Sequence, residues 1–180
     1  MDIASHALWV VAGAFVARRA VTIAPRTIVA AAMAAVLPDL IHLLPVVSWV
    51  LLGSGTIADL YAYAVATPGE EPAMPAIVAA IAHHLHCTLH SAVVAAPITL
   101  FALLVRRAWW LPLLAWWSHI LIDVLTHSDD YYASPFLYPI TYWGFDGLAW
   151  NRPAFLGINY ALLVIVYIGL YIRRGRNKAL

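Results

Sequence analysis

Residues 27–52 read TIVAAAMAAVLPDLIHLLPVVSWVLL, and this stretch decides the fold. Its one charged side chain is Asp39, in an apolar run long enough to cross a hydrocarbon core of about 30 Å. Pro38 and Pro45 interrupt the run without making it polar. Four more apolar stretches flank it. They are Ile3 to Ala17, ending at Arg18-Arg19, then Pro75 to Val105, Trp109 to Thr126 and Ala154 to Ile172. Across 180 residues, 64% are hydrophobic and 11% charged. An ordinary soluble domain carries roughly 25% charged residues. The expected fold is therefore all-α: a polytopic membrane bundle of about five transmembrane helices, forming one domain over residues 1–180. The third stretch, 75–105, exceeds what a crossing needs, so a tilted or projecting helix is expected. The connections 53–74 and 127–153 hold the Gly and Pro punctuation of loops. The single cysteine, Cys87, excludes an internal disulfide framework. The first residues lack a basic region and cleavage site, so no cleaved signal peptide is expected.

Positive charge gives the orientation. Arg18, Arg19, Arg26, Arg106, Arg107, Arg173, Arg174, Arg176 and Lys178 all fall on one side of a five-span bundle, and only Arg152 falls opposite. The positive-inside tendency makes the first side cytoplasmic. The N-terminus and both long loops are then outside the plasma or inner membrane, and the C-terminus is cytoplasmic. None of the nine acids lies in a cytoplasmic segment. The net charge of +1 by itself says nothing about partners, and no nucleic-acid partner is expected.

Ionisable groups inside such spans cost on the order of 2.5–3.5 kcal/mol each and usually mark function. His119, Asp123 and His127 follow one another at four-residue steps, within an arc of roughly 80° on one helix face. His83, His86 and His90 share a face of the third span, with Ser91 at its edge, while His84 points elsewhere. Asp39 and His42 lie a turn apart on the second span, and Ser5 and His6 open the first. In the five-span topology all of these fall between the bilayer centre and the outer face.

Imidazole nitrogen and carboxylate oxygen form the ligand set of zinc and of other divalent transition metals. Placed on facing helices, such residues build metal sites in bundles. The expected ligands are His6, Asp39, His86, His90, His119 and Asp123, holding one or two ions, with Asp39, His119 and Asp123 closest to the chemistry. His42, His83, His127 and Ser91 are expected in supporting or substrate contacts. A metal with an open position activates water for hydrolysis. A cavity running from midplane to surface suits a membrane lipid or lipid-linked substrate. The alternative is a metal-ion or proton transporter using the same cluster, although the inner halves of the spans offer no ionisable step. A purely structural or assembly subunit is a third class, in which His119 and Asp123 are dispensable.

Several of these pieces, taken in order, resemble the YdjM-like family, whose members are described as inner-membrane metal-dependent hydrolases. They are Ser5-His6, Pro38-Asp39, His90-Ser91 and Ser118-His119-Ile120-Leu121-Ile122-Asp123, followed by Ser134-Pro135-Phe136 and Pro139. The resemblance runs from residue 5 to about 147. It implies a metal-bound hydrolase distantly similar to zinc-dependent phospholipase C, an enzyme class that cleaves phosphoesters. Two details depart from the family pattern. Ser5 stands where a Thr is usual before the first His, and residues 86–91 (HCTLHS) lack the usual Arg and are one residue shorter.

Overall fold

The structure, a computed structural model, describes residues 1–176; Lys178 of the basic tail lies outside them. The described residues are helical apart from loops and isolated bridges around Ser128. The helices are α1 (Ile3–Ala17), α2 (Pro25–Leu52), α3 (Ile57–Val65), α4 (Ala76–Leu89), α5 (Ala92–Val105), α6 (Trp110–Thr126) and α7 (Pro153–Arg176). Three segments are long and apolar enough to cross a membrane: Pro25–Leu52, Arg107–Thr126 and Pro153–Arg174. The bent pair α4–α5 makes a fourth if it counts as one span, and α1 is a shorter apolar helix. Their outer faces are apolar as well, with Leu52 87%, Leu104 77% and Phe101 70% exposed. A soluble monomer rarely shows continuous apolar surface on this scale.

α2 is the central helix. Near its start, Ala31 and Ala35 pack with Ala14 of α1 and Leu111 and Ala115 of α6. Small side chains let the helix backbones approach closely, the usual basis of packing where lipid supplies no hydrophobic drive between helices. Toward its end, Val46 and Trp49 pack against Ala82 of α4. Asp39 sits between these two packed zones. α2 runs unbroken through Pro38 and Pro45, as neighbouring helices allow in such a bundle. α7 joins through α1, where Asn159 donates to Ser5 Oγ and accepts from Trp9.

Two features differ from the sequence reading. Residues 57–65, expected as loop, form α3, closed by a capping box between Thr56 and Asp59. The long third stretch is not one tilted helix. It breaks at His90-Ser91, and α4 and α5 meet there at 60°. Ser91 is extended (φ −92°, ψ 124°) and caps α5 by accepting from Val94 N. The backbone groups freed by this break find partners inside the protein. Trp116 Nε1 donates to Leu89 O at 2.8 Å, Ala92 N donates to Phe136 O at 2.8 Å, and Ser91 Oγ donates to Tyr138 O. Irregular backbone at membrane depth is tolerated only where protein satisfies it in this way. Trp116→Phe keeps the packing and removes one donor, leaving Leu89 O unpaired at a cost of about 1–3 kcal/mol. A lowered thermal midpoint in detergent is the expected result, and an unchanged midpoint would show that the indole bond does not hold the break.

Candidate metal centre

Three helices deliver four polar residues to one place. Asp39 comes from the middle of α2, and His90 from the C-terminal cap of α4. His119 and Asp123 lie one turn apart on α6. His90, His119 and Asp123 are fully buried, and the Asp39 side chain is 13% exposed. The break at His90-Ser91 matters here, because α4 ends at His90 instead of carrying it onward along a straight helix.

The donor atoms converge. His90 Nε2 and His119 Nε2 are 2.9 Å apart. Asp123 Oδ2 lies 3.3 Å from the first nitrogen and 3.2 Å from the second. Asp39 Oδ1 lies 3.4 Å and 3.7 Å from the same two nitrogens. One donor atom from each of the four residues fits within 4.8 Å of all the others. A tetrahedral ion with bonds of about 2.0–2.1 Å sets its ligands roughly 3.3 Å apart, so the spacings suit a metal of zinc's size.

No family model, curated protein or solved structure matches the chain.

The surroundings also fit an ion. Asp39 Oδ2 and Asp123 Oδ2 are buried with no hydrogen-bond partner. Asp39 and Asp123 place two carboxylates in an apolar bundle, where only the Met1 amino group, on Asp123, is a fixed cation. A divalent ion held among these donors would offset the charge that remains. His90 Nδ1 donates to His86 O at 2.8 Å, which leaves Nε2 with its lone pair directed at the other donors. Backbone bonds of this kind fix the tautomer of metal-ligating histidines. On Asp123, His6 Nε2 donates to Oδ1 at 3.0 Å, and the Met1 amino group also contacts Oδ1. His127 Nδ1 donates to the Asp123 carbonyl at 2.9 Å.

The buried Asp39–His90–His119–Asp123 group can hold one metal ion. His6 and His86, also expected as ligands, stand beside this group. His6 reaches Asp123 on Oδ1, the carboxylate oxygen other than the one nearest the two histidines, and its ring lies tilted against that of His119 with centroids 4.0 Å apart. His86 stacks on His90 at 4.1 Å, and His42 meets His86 edge-on at 5.2 Å. His83 is exposed, contacts Cys87 and stacks on Tyr142, so it takes no part in the cluster. Ser91 serves the helix break, and His84 contacts Tyr138.

A cavity of about 530 Å³ opens beside the centre. It is lined by His42, His83 and His86 together with Tyr63, Glu71 and Tyr132 from the two long connections, and it reaches the centre through His86, whose ring stacks on His90. Sequence reading missed Trp116, Asn159 and the Glu71–Tyr132 pair. Trp116 and Asn159 show no periodicity that sets them apart from other membrane-helix residues. Glu71 reads as an ordinary solvated loop charge until the two loops are brought together.

Proposed function

We propose that this chain is a membrane-embedded, metal-dependent hydrolase acting on a lipid or lipid-linked phosphoester, as its resemblance to the YdjM-like family implies. In this reading five segments cross the membrane, the N-terminus and both long loops lie outside, and the C-terminus is cytoplasmic. The observation that carries the reading is the buried convergence of two imidazole nitrogens and two carboxylate oxygens, with a cavity lined by His42 and His86 alongside. Asp39, His90, His119 and Asp123 would hold zinc or another divalent transition metal. Such an ion supplies Lewis acidity and brings the pKa of a coordinated water near neutrality.

The protein's own groups do the remaining work. His6 and His127 fix the two ends of Asp123, and the His86 carbonyl fixes the His90 ring. His42 Nδ1 donates to Pro38 O at 3.3 Å, which leaves Nε2 as a proton acceptor on a residue lining the cavity. That makes His42 the general base best placed to take a proton from an attacking water. Two further grooves, of about 300 and 260 Å³, lie toward the other end of α6, and neither is lined by an ionisable side chain. A transporter needs a polar step there, so the grooves favour a one-sided site over a conducting path.

The test is metal content together with turnover. Detergent-purified protein is expected to carry about one equivalent of a divalent transition metal and to release product from a phosphoester lipid, with chelation ending the release. Chelator-free protein without stoichiometric metal would sink the metal-hydrolase reading. Metal uptake into proteoliposomes without any hydrolysis would replace it with transport.

A further inference from the structure

The cavity beside the metal centre has an uneven chemistry. Its lining combines two imidazoles, from His42 and His86, with two phenols and a carboxylate, from Tyr63, Tyr132 and Glu71. Ala73, Met74 and Ala79 add apolar surface. Its volume lies within the roughly 300–1,000 Å³ of ordinary small-molecule sites.

Glu71 is held in place. Tyr132 Oη donates to Glu71 Oε1 at 2.6 Å, and Gly69 N donates to Oε2 at 2.9 Å. The Tyr132 hydrogen bond keeps the Glu71 carboxyl below its ordinary range, so it is ionised at neutral pH. Each carboxylate oxygen retains a lone pair for a further donor. No Lys or Arg lines the cavity. The two long loops carry Asp59, Glu70, Glu71, Asp129, Asp130 and Asp146 against one cation, Arg152. A mouth of this charge draws cations and repels anionic head groups. Tyrosine rings beside a carboxylate are the side chains that recognise an ammonium group, the carboxylate by charge and the rings by cation–π attraction.

We propose that this cavity is the head-group subsite of the metal centre, and that it selects a phosphoester bearing an ammonium group, held by Glu71, Tyr63 and Tyr132. The subsite rests on the hydrolase reading. Its ligand places the phosphoester toward His42 and His86 and the ammonium at the loop end. Phosphatidylethanolamine and free phosphoethanolamine share that chemistry, and an anionic head such as phosphatidylglycerol lacks it.

Native mass spectrometry of the full chain, released from micelles doped with equal phosphatidylethanolamine and phosphatidylglycerol, tests selection without needing turnover. Wild type is expected to retain the ethanolamine lipid roughly tenfold over the glycerol lipid. Glu71→Gln is expected to bring the two to parity with metal content unchanged, and Tyr63→Leu to narrow the gap. Equal retention by wild type overturns the proposal, as does a preference that survives Glu71→Gln. Soluble phosphoethanolamine that displaces the lipid supports the head alone as ligand, and retention that resists it supports the lipid. Selection without hydrolysis removes the hydrolase reading and leaves the subsite. Hydrolysis without selection removes the subsite alone.

Discussion

Asp123→Asn is expected to empty the metal centre while leaving the helices in place. The substitution keeps the shape of the side chain and removes its charge. Asp123 Oδ2 lies within 3.3 Å of both histidine nitrogens, and Oδ1 accepts from His6. An amide offers a weaker ligand oxygen and cannot offset a divalent ion. Loss of a supporting partner typically costs 10–100-fold in metal affinity, and loss of a ligand is expected to cost on the order of 100-fold or more. His6→Ala, which removes a partner of Asp123, should fall in the smaller range. Chelator competition measures both.

Stability gives the same prediction a second readout. A metal that binds only the folded state raises the unfolding midpoint by mass action, so added metal should stabilise wild type and leave Asp123→Asn unmoved. Chelation should lower the wild-type midpoint and leave that of the variant in place, so the gap between the two narrows when metal is removed. A variant that binds stoichiometric metal at wild-type affinity would remove Asp123 from the ligand set.

What the sequence reveals about this centre depends on the residue. His119 and Asp123 are legible because a four-residue step on an unbroken helix fixes their common face, and α6 is unbroken there. Asp39 is legible because a lone carboxylate in a long apolar run has few other reasons to be present. His90 is legible as a polar residue of the third stretch, although its position is not. Helical spacing groups it with His83 and His86, whereas the chain breaks after it and leaves His83 on the exposed side. No Pro or Gly marks that break. The one local sign is Ser91, a residue suited to N-caps, and its meaning depends on Trp116 and on the 136–138 backbone arriving from elsewhere. The same limit hides the cavity, because Glu71 and Tyr132 become partners only when two loops fold over the centre. The apolar pattern carries the bundle itself, with three to four segments of crossing length and a shorter α1. It cannot distinguish a straight span from a bent pair.

Gly147 carries the second large expectation. The end of a helix leaves its last carbonyls without intrahelical donors, and α6 ends just past His119 and Asp123. The returning loop supplies those donors. Leu148 N donates to Leu125 O at 3.0 Å, Trp150 N to Thr126 O at 2.9 Å, and Gly147 N to His127 O at 2.8 Å. This close approach leaves no room for a side chain at residue 147. A Cβ there would meet Leu125 O at 2.4 Å and His127 O at 2.7 Å, and both are backbone atoms that cannot turn aside. Gly147→Ala must therefore push the 147–150 segment off the end of α6. The expected cost is about 1–3 kcal/mol of overpacking, with the hydrogen bonds to the α6 carbonyls at risk as well. Because His127 buttresses Asp123, metal affinity should fall along with the thermal midpoint. Gly157→Ala is the matched control. It sits in α7 with nothing near its Cβ position, and replacing a helical glycine by alanine there should be neutral or stabilising. Equal midpoints for the two variants would show that the loop does not clamp α6. A midpoint drop confined to Gly147→Ala, with weakened metal binding, would make the 147–150 segment part of the support of the centre.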